Sequence, residues 1–249
     1  MTDQWQFFPC SMGDDQAFIF VDEGAHETIS EAPETLVRVR LTYKDPNPNG
    51  LPKNFEFEAV SKVEDKIQNF SESNGSWYVG RITVAGCRYF YVYTRILESS
   101  WKQFVSSLSD GSGYELKVSF RDDPEHKGYW DELYPTEDDW QVIGDLRVIE
   151  RLEKDGDDGS KVRKVDHWAY FEDQTTAQPF IDWAVKDRFL FESEHSHITD
   201  EGKYCVRLIH HGTIKIGDIS SHTIALRRKA SEFGGEYDGW ETEIIKPNG

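Results

Sequence analysis

The sequence predicts an α+β protein of two domains, each an antiparallel sheet with two helices in split βαβ order, the second domain led by an extra helix. Three observations predict this. Period-2 and period-3.6 apolar patterns alternate in the order β-α-β-β-α-β over residues 36–120. Nearly the same order returns after residue 136, behind one additional helical pattern. Finally, 37% apolar and 14% aromatic residues in a 249-residue chain provide enough material for two packed cores.

Taken in order, an aromatic run (Trp5 to Phe8) and an apolar run (Phe18 to Val21) predict an N-terminal hairpin. In LVRVRLTY, Val37, Val39, Leu41 and Tyr43 alternate with Arg38, Arg40 and Thr42, which is a strand with one buried face. The strand stops at DPNPNGLP, where prolines and Gly50 end regular structure. Val60, Val63, Ile67 and Phe70 then fall at helical spacing. WYVGRITV and CRYFYVYT flank Ala85-Gly86 as a hairpin. A short helix carries Trp101, Phe104, Val105 and Leu108, and a strand alternates through Tyr114, Leu116, Val118 and Phe120. This is the ferredoxin-like order, assigned to a first domain at residues 1–135.

The second domain, residues 136–249, opens at TEDDWQVIGDLRVIERLEK. Thr136 is positioned to cap this helix, acidic residues fill its first turn, and Val142, Leu146 and Ile149 form the expected apolar stripe. VDHWAYF reads as a strand and residues 175–187 as a helix with Pro179 in its first turn. Phe189 to Ile198 and Tyr204 to His211 read as a hairpin around DEGK. The last helix, residues 218–233, is expected to be capped by Asp218, buried along Ile219, Thr223, Leu226, Ala230 and Phe233, and stopped by Gly234 and Gly235.

Charge narrows the partners. With 46 Asp+Glu against 28 Lys+Arg the chain carries −18. Such a surface repels nucleic acid and anionic membranes and attracts basic proteins, and equally it can serve solubility alone. The excess is not a tail. Residues 1–135 hold 13 basic and 22 acidic side chains and the remainder 15 and 24, so each half carries −9. No stretch approaches the roughly 20 apolar residues of a membrane helix. The N-terminus lacks a basic start and an apolar signal core, so a cytoplasmic protein is expected. Cys10, Cys87 and Cys205 are odd in number and far apart, as expected of reduced thiols.

Local motifs for chemistry are sparse. G-x-S-x-G, HExxH and CxxC are absent, and GDDGS reads as a solvated turn without the twelve-residue calcium pattern. Asp122-Asp123 and Asp138-Asp139 read as turn and cap residues. His195 and His197 share a predicted strand face. If Ile198 pairs with Cys205, His195 opposes Leu208 and His210 lies diagonally beside it, a geometry that could hold zinc in a metal-dependent hydrolase. The bland reading, half-exposed sheet histidines, is preferred, and no cofactor is expected. The EYDGW segment is the strongest binding candidate. Glu236, Tyr237, Asp238 and Trp240 combine carboxylates with large aromatics that suit arginine, while the competing reading makes Tyr237 and Trp240 a lid sealing the core. RNA stacking on such aromatics would lack basic residues for the phosphates.

Several passages are also similar to known families. The leading amphipathic helix, LEKDGDDGSKVRKVDHWAYFED and FGGEYDGWE (Phe233 to Glu241) resemble the regulator of ribonuclease activity B family over about residues 138–249. Its members are small bacterial proteins named for inhibiting ribonuclease E by binding it. WQFF, NGLP (Asn49 to Pro52), YVGRITVAGCRYFYVY and YWDELYPTEDD resemble an uncharacterised bacterial domain that often precedes that family. The resemblance implies a non-catalytic regulator that binds and inhibits an RNA-processing ribonuclease or similar basic protein. An immunity-type inhibitor of a toxin nuclease is the alternative. The best-known members are single domains, so the fused first domain leaves the target open.

Overall fold

A computed structural model describes residue 2 and residues 4–246. The chain divides into two compact units, Met1–Asp139 and Trp140–Gly249, each with its own sheet.

In the first unit, β1 (Trp5–Met12) and β2 (Asp15–Asp22) form the N-terminal hairpin. They are followed by β3 (Thr35–Thr42), α1 (Phe57–Ser73), β4 (Trp77–Val84), β5 (Cys87–Thr94), α2 (Glu98–Ser112) and β6 (Glu115–Asp122). The sheet order is β1-β2-β4-β5-β3-β6 with every pairing antiparallel. Its last four strands have the order of a split βαβ domain, and the hairpin lengthens the sheet beyond β4. Val37, Val39 and Leu41 pack against Val60, Val63 and Ile67 of α1 and Trp101, Val105 and Leu108 of α2. The arginines between those strand residues face the other way, as period 2 requires.

The β4–β5 turn places Ala85 and Gly86 at φ 49° and 75°, the left-handed pair of a type I′ hairpin. The NGLP loop docks on it. Gly86 N–H donates to Gly50 O at 2.9 Å, and a Cβ on Gly50 would lie 2.8 Å from Gly86 N. A single helical turn, α3 (Lys127–Trp130), was not anticipated, nor were short 3₁₀ turns at Glu23–Glu27, Ile29–Glu31 and Asn54–Glu56. α3 is built by Asp123, whose carboxylate accepts from Lys127 N at 2.9 Å, Gly128 N at 2.8 Å and Tyr93 Oη at 2.7 Å. Burial works to raise this carboxyl's pKa, but those bonds outweigh it and hold it below the ordinary carboxylate range.

The second unit contains α4 (Glu137–Lys154) from Trp140 onward, β7 (Arg163–Phe171), α5 (Gln174–Lys186), β8 (Leu190–Phe191), β9 (His197–Ile198), β10 (Tyr204–Gly212), α6 (Ile216–Glu232) and β11 (Glu236–Thr242). The order β11-β7-β10-β8 completes a second split βαβ sheet, with β9 also on β10. Thr136 and Asp139 exchange hydrogen bonds in a capping arrangement at the start of α4.

Four expectations are corrected in this unit. The buried face of α4 is Ile143, Asp145, Ile149 and Leu152, with Val142 and Leu146 only half-buried. Pro179 lies in the second turn of α5, because Asp173 caps the helix and makes Gln174 its first residue. The first strand of the expected hairpin is broken by a 3₁₀ turn at Ser193–His195. Ser196 causes the break, since its hydroxyl accepts from Arg207 N at 3.1 Å and donates to Glu192 O at 3.0 Å, replacing a ladder bond. α6 is preceded by Lys215 rather than capped by Asp218, which sits in the first turn and accepts from Thr213 Oγ1.

The end of α6 follows the expectation. Gly234 takes φ 75°, and the N–H groups of Gly234 and Gly235 donate to Ser231 O and Ala230 O in a Schellman arrangement. Gly235 packs so closely on Phe171 that a Cβ would come within 2.3 Å of the ring. Both glycines are therefore set by geometry. Among the described residues no helix is long and apolar enough to cross a membrane.

Candidate functional site

The EYDGW segment is β11, an edge strand paired with β7 and carrying a bulge between Tyr237 and Gly239. Alternation sends its side chains to opposite faces. Tyr237 and Trp240 turn toward the helices and join the apolar clusters there. Glu236, Asp238 and Glu241 are exposed.

The inward residues end in a buried polar network. Trp240 Nε1 donates to Asp145 Oδ1 at 2.9 Å, and Gln141 Nε2 donates to the same oxygen at 3.0 Å. Ser220 Oγ and Thr223 Oγ1 of α6 donate to Asp145 Oδ2 at 2.7 and 2.6 Å. One carboxylate thus ties α4, α6 and β11 together. Burial raises the Asp145 pKa above its ordinary value, and the four hydrogen bonds only partly oppose it.

Beside it lies an imidazole chain. Tyr237 Oη is 2.8 Å from His167 Nδ1, His167 Nε2 is 2.7 Å from His210 Nδ1, and the rings of His210 and His222 are 4.2 Å apart. If the Tyr237 hydroxyl donates to His167, then His167 Nε2–H donates to His210. His210 Nε2, buried and without a partner among the described residues, ends the chain. Burial lowers all three histidines. His167 falls well below its usual value, His210 falls to about 4, and His222 is also lowered; neighbouring imidazoles add to the effect on the first two. They are neutral at pH 7. Burial also raises the Tyr237 phenol, so it keeps its proton. Chemically, this is a sealed hydrogen-bonded wire. His167 and Asp145 are each 1% exposed, which leaves a substrate no approach to them.

The GDDGS passage is corrected too. Far from a solvated turn, it contains a buried ion pair in which both guanidinium Nη groups of Arg163 donate to Asp157, Nη2 at 2.9 Å. Asp157 also accepts from Ile245 N at 2.7 Å and Gly159 N at 2.9 Å, so it anchors the segment after β11. The bonds from Arg163 hold its pKa down to about 2 despite burial.

The three histidines considered for zinc do not meet. β9 pairs Ile198 with Tyr204 and His197 with Cys205, one residue from the register assumed in the sequence reading. His195 leaves the ladder for the 3₁₀ turn and faces Glu192, His197 is exposed, and His210 points into the core. Among the described residues no group of three or more His, Cys, Asp or Glu is placed to hold a metal ion. Sequence reasoning missed His167, His222, Asp145 and Asp157. His167 did carry a signal, since it shares the apolar parity of Val165, Ala169 and Phe171.

The outward face of β11 gathers a different set. Glu236 pairs with Tyr170, and Gly239 with Trp168. Burial raises the Tyr170 phenol, and Cys205, Asp238 and Glu201 nearby raise it further. Lys203 Nζ stands 4.0 Å from Glu236, and Arg207 lies over the Trp168 ring at 5.0 Å. Carboxylates and half-buried aromatics therefore share one face of this sheet edge.

Residues 143–242 match the family Regulator of ribonuclease activity B. Residues 3–134 match a family of unknown function, DUF695. No curated protein matches the chain. Among solved structures, an unknown protein from Galdieria sulphuraria is similar at 11% identity and a TM-score of 0.23, with 84% of this chain and 99% of that one covered. A putative glycine cleavage system transcriptional repressor is similar at 8% identity and a TM-score of 0.24, with 84% and 98% covered. The chain belongs to the family of unknown function DUF695, and behind that domain it carries one that matches the regulators of ribonuclease activity.

Proposed function

We propose that the chain regulates a ribonuclease by protein contact, its second unit docking the outward face of β11 onto an arginine-bearing segment of the enzyme and blocking access to RNA. The observation that carries this reading is the match of residues 143–242 to Regulator of ribonuclease activity B. The geometry of the motif strand supports it. Tyr237 and Trp240 are committed to the core, which leaves Glu236, Asp238 and Glu241 as the members of that strand that can meet a partner. Carboxylates beside Trp168 and Tyr170 suit a guanidinium, which can pair with the first and stack on the second.

The test is capture of an arginine-rich ribonuclease segment by the full chain. Binding is expected at low salt and should weaken steeply as salt rises. The triple variant Glu236→Lys, Asp238→Lys, Glu241→Lys should lose it while remaining folded. Undiminished capture by that variant would move the contact elsewhere, and absence of capture at low salt would refute the reading.

A further inference from the structure

The first unit contains a cavity of about 300 Å³ that the ribonuclease reading does not use. It follows from the sheet extension. α1 and α2 cover the four split βαβ strands, whereas β1 and β2 continue the sheet past α1. The register places Phe7 opposite Phe20, Phe20 opposite Arg81, Phe18 opposite Thr83 and Thr83 opposite Arg88, so these side chains share one face. Phe57 and Ser61 of α1 form the facing wall, with Leu51 and Pro52 at the rim.

Two arginines stand in this apolar shelf. Glu64 lies between them, accepting from Arg81 Nη1, from Arg88 Nη1 at 3.1 Å and from Tyr78 Oη at 2.8 Å. One carboxylate against two guanidiniums leaves a positive balance. Arg88 is 6% exposed, and its Nε donates to Thr83 Oγ1 at 3.2 Å, which leaves its Nη2 without a partner among the described residues. Arg81 lies over the Phe20 ring at 4.3 Å and uses only Nη1 on Glu64. Unspent guanidinium donors thus face a cavity with aromatic walls, where Phe7 and Phe18 stack at 5.5 Å and Phe7 remains 54% exposed. A chain of net charge −18 has no solubility reason to keep a positive, apolar recess.

We infer that the shelf between α1 and the β1–β2 hairpin binds a small carboxylic acid with an aromatic or aliphatic body. The carboxylate meets the free donors of Arg81 and Arg88, and the body lies among Phe7, Phe18, Phe20 and Phe57. The volume is at the lower end of small-molecule pockets, which run from about 300 to 1,000 Å³, so it suits a single ring with a short acid chain. Arginine forks match a carboxylate in geometry as well as charge.

Calorimetric titration of the full chain with 3-phenylpropanoate, its neutral amide and inorganic phosphate tests this. The acid should bind at least tenfold more tightly than either comparator. Arg81→Met leaves Glu64 paired with Arg88 and Tyr78, and it should weaken the acid at least tenfold. Phe18→Ala leaves every ion pair in place and should weaken it several-fold; circular dichroism checks that both variants are folded. Equal binding of acid and amide, phosphate binding as tightly as the acid, or no binding of the acid at millimolar concentration would each overturn the inference.

Discussion

Asp145 accepts four hydrogen bonds from three elements at a site that water scarcely reaches, and that makes it the residue whose loss is felt most widely in the second unit. Asp145→Asn places an amide donor against groups that are themselves donors. We expect a loss of about 2–3 kcal/mol in urea unfolding, at constant slope. Asp157→Asn breaks a buried ion pair and turns one of its two acceptor oxygens, which serve Gly159 N and Ile245 N separately, into a donor, with an expected loss of about 3–5 kcal/mol. Stability unchanged to within about 0.5 kcal/mol in either variant would contradict the geometry. Neither residue was legible in the sequence, because an aspartate in a helix or beside a glycine is ordinarily a surface residue. Only the approach of α6, β11 and Arg163 makes these two exceptions.

β11 divides its motif between two faces of the sheet. Period 2 and the bulge commit Tyr237 and Trp240 to the interior and leave the carboxylates outside. Substitutions on the two faces should therefore separate. Tyr237→Phe removes the hydroxyl from His167 and should cost about 1–2 kcal/mol of stability while leaving partner capture intact. The charge reversals at Glu236, Asp238 and Glu241 should do the opposite. A Tyr237→Phe variant that keeps full stability but loses capture would return the aromatic to the interface. At this scale much of the chain was readable, since α1, α2, the two hairpins of the first unit and the glycine stop of α6 follow from periodicity and turn chemistry. The α4 stripe was not. Val142, Leu146 and Ile149 are as helical in spacing as the observed face, and the packing partners decide which side is buried.

For the molecule as a whole, pH should act through the imidazole chain. Burial lowers His167, His210 and His222 below the ordinary 6.5, so the unfolded chain takes up these protons first. The stability contributed by the neutral rings is fully present above about pH 6.5 and is lost as pH falls toward 4. Asp145, with its raised value, acts in the opposite sense and offsets part of the loss. Urea midpoints should fall over that window with a slope of up to three protons, and His210→Phe should flatten it. A midpoint constant from pH 7 to 5 would mean that the chain is hydrated rather than sealed. The three rings belong to the second unit, so acid should destabilise that unit while the first keeps its sheet.

The sequence by itself determined the class of fold, the order of most elements and the even division of negative charge between the halves. These depend on local periodicity and composition, which a chain carries whether or not it is folded. Only the tertiary structure decided that β11 completes the second sheet, that His210 meets His167 rather than His195, and that two arginines stand in an apolar shelf beside α1. The physical reason is shared. Each depends on strand register and on which helix packs over which strands, and a shift of one residue moves a side chain to the opposite face.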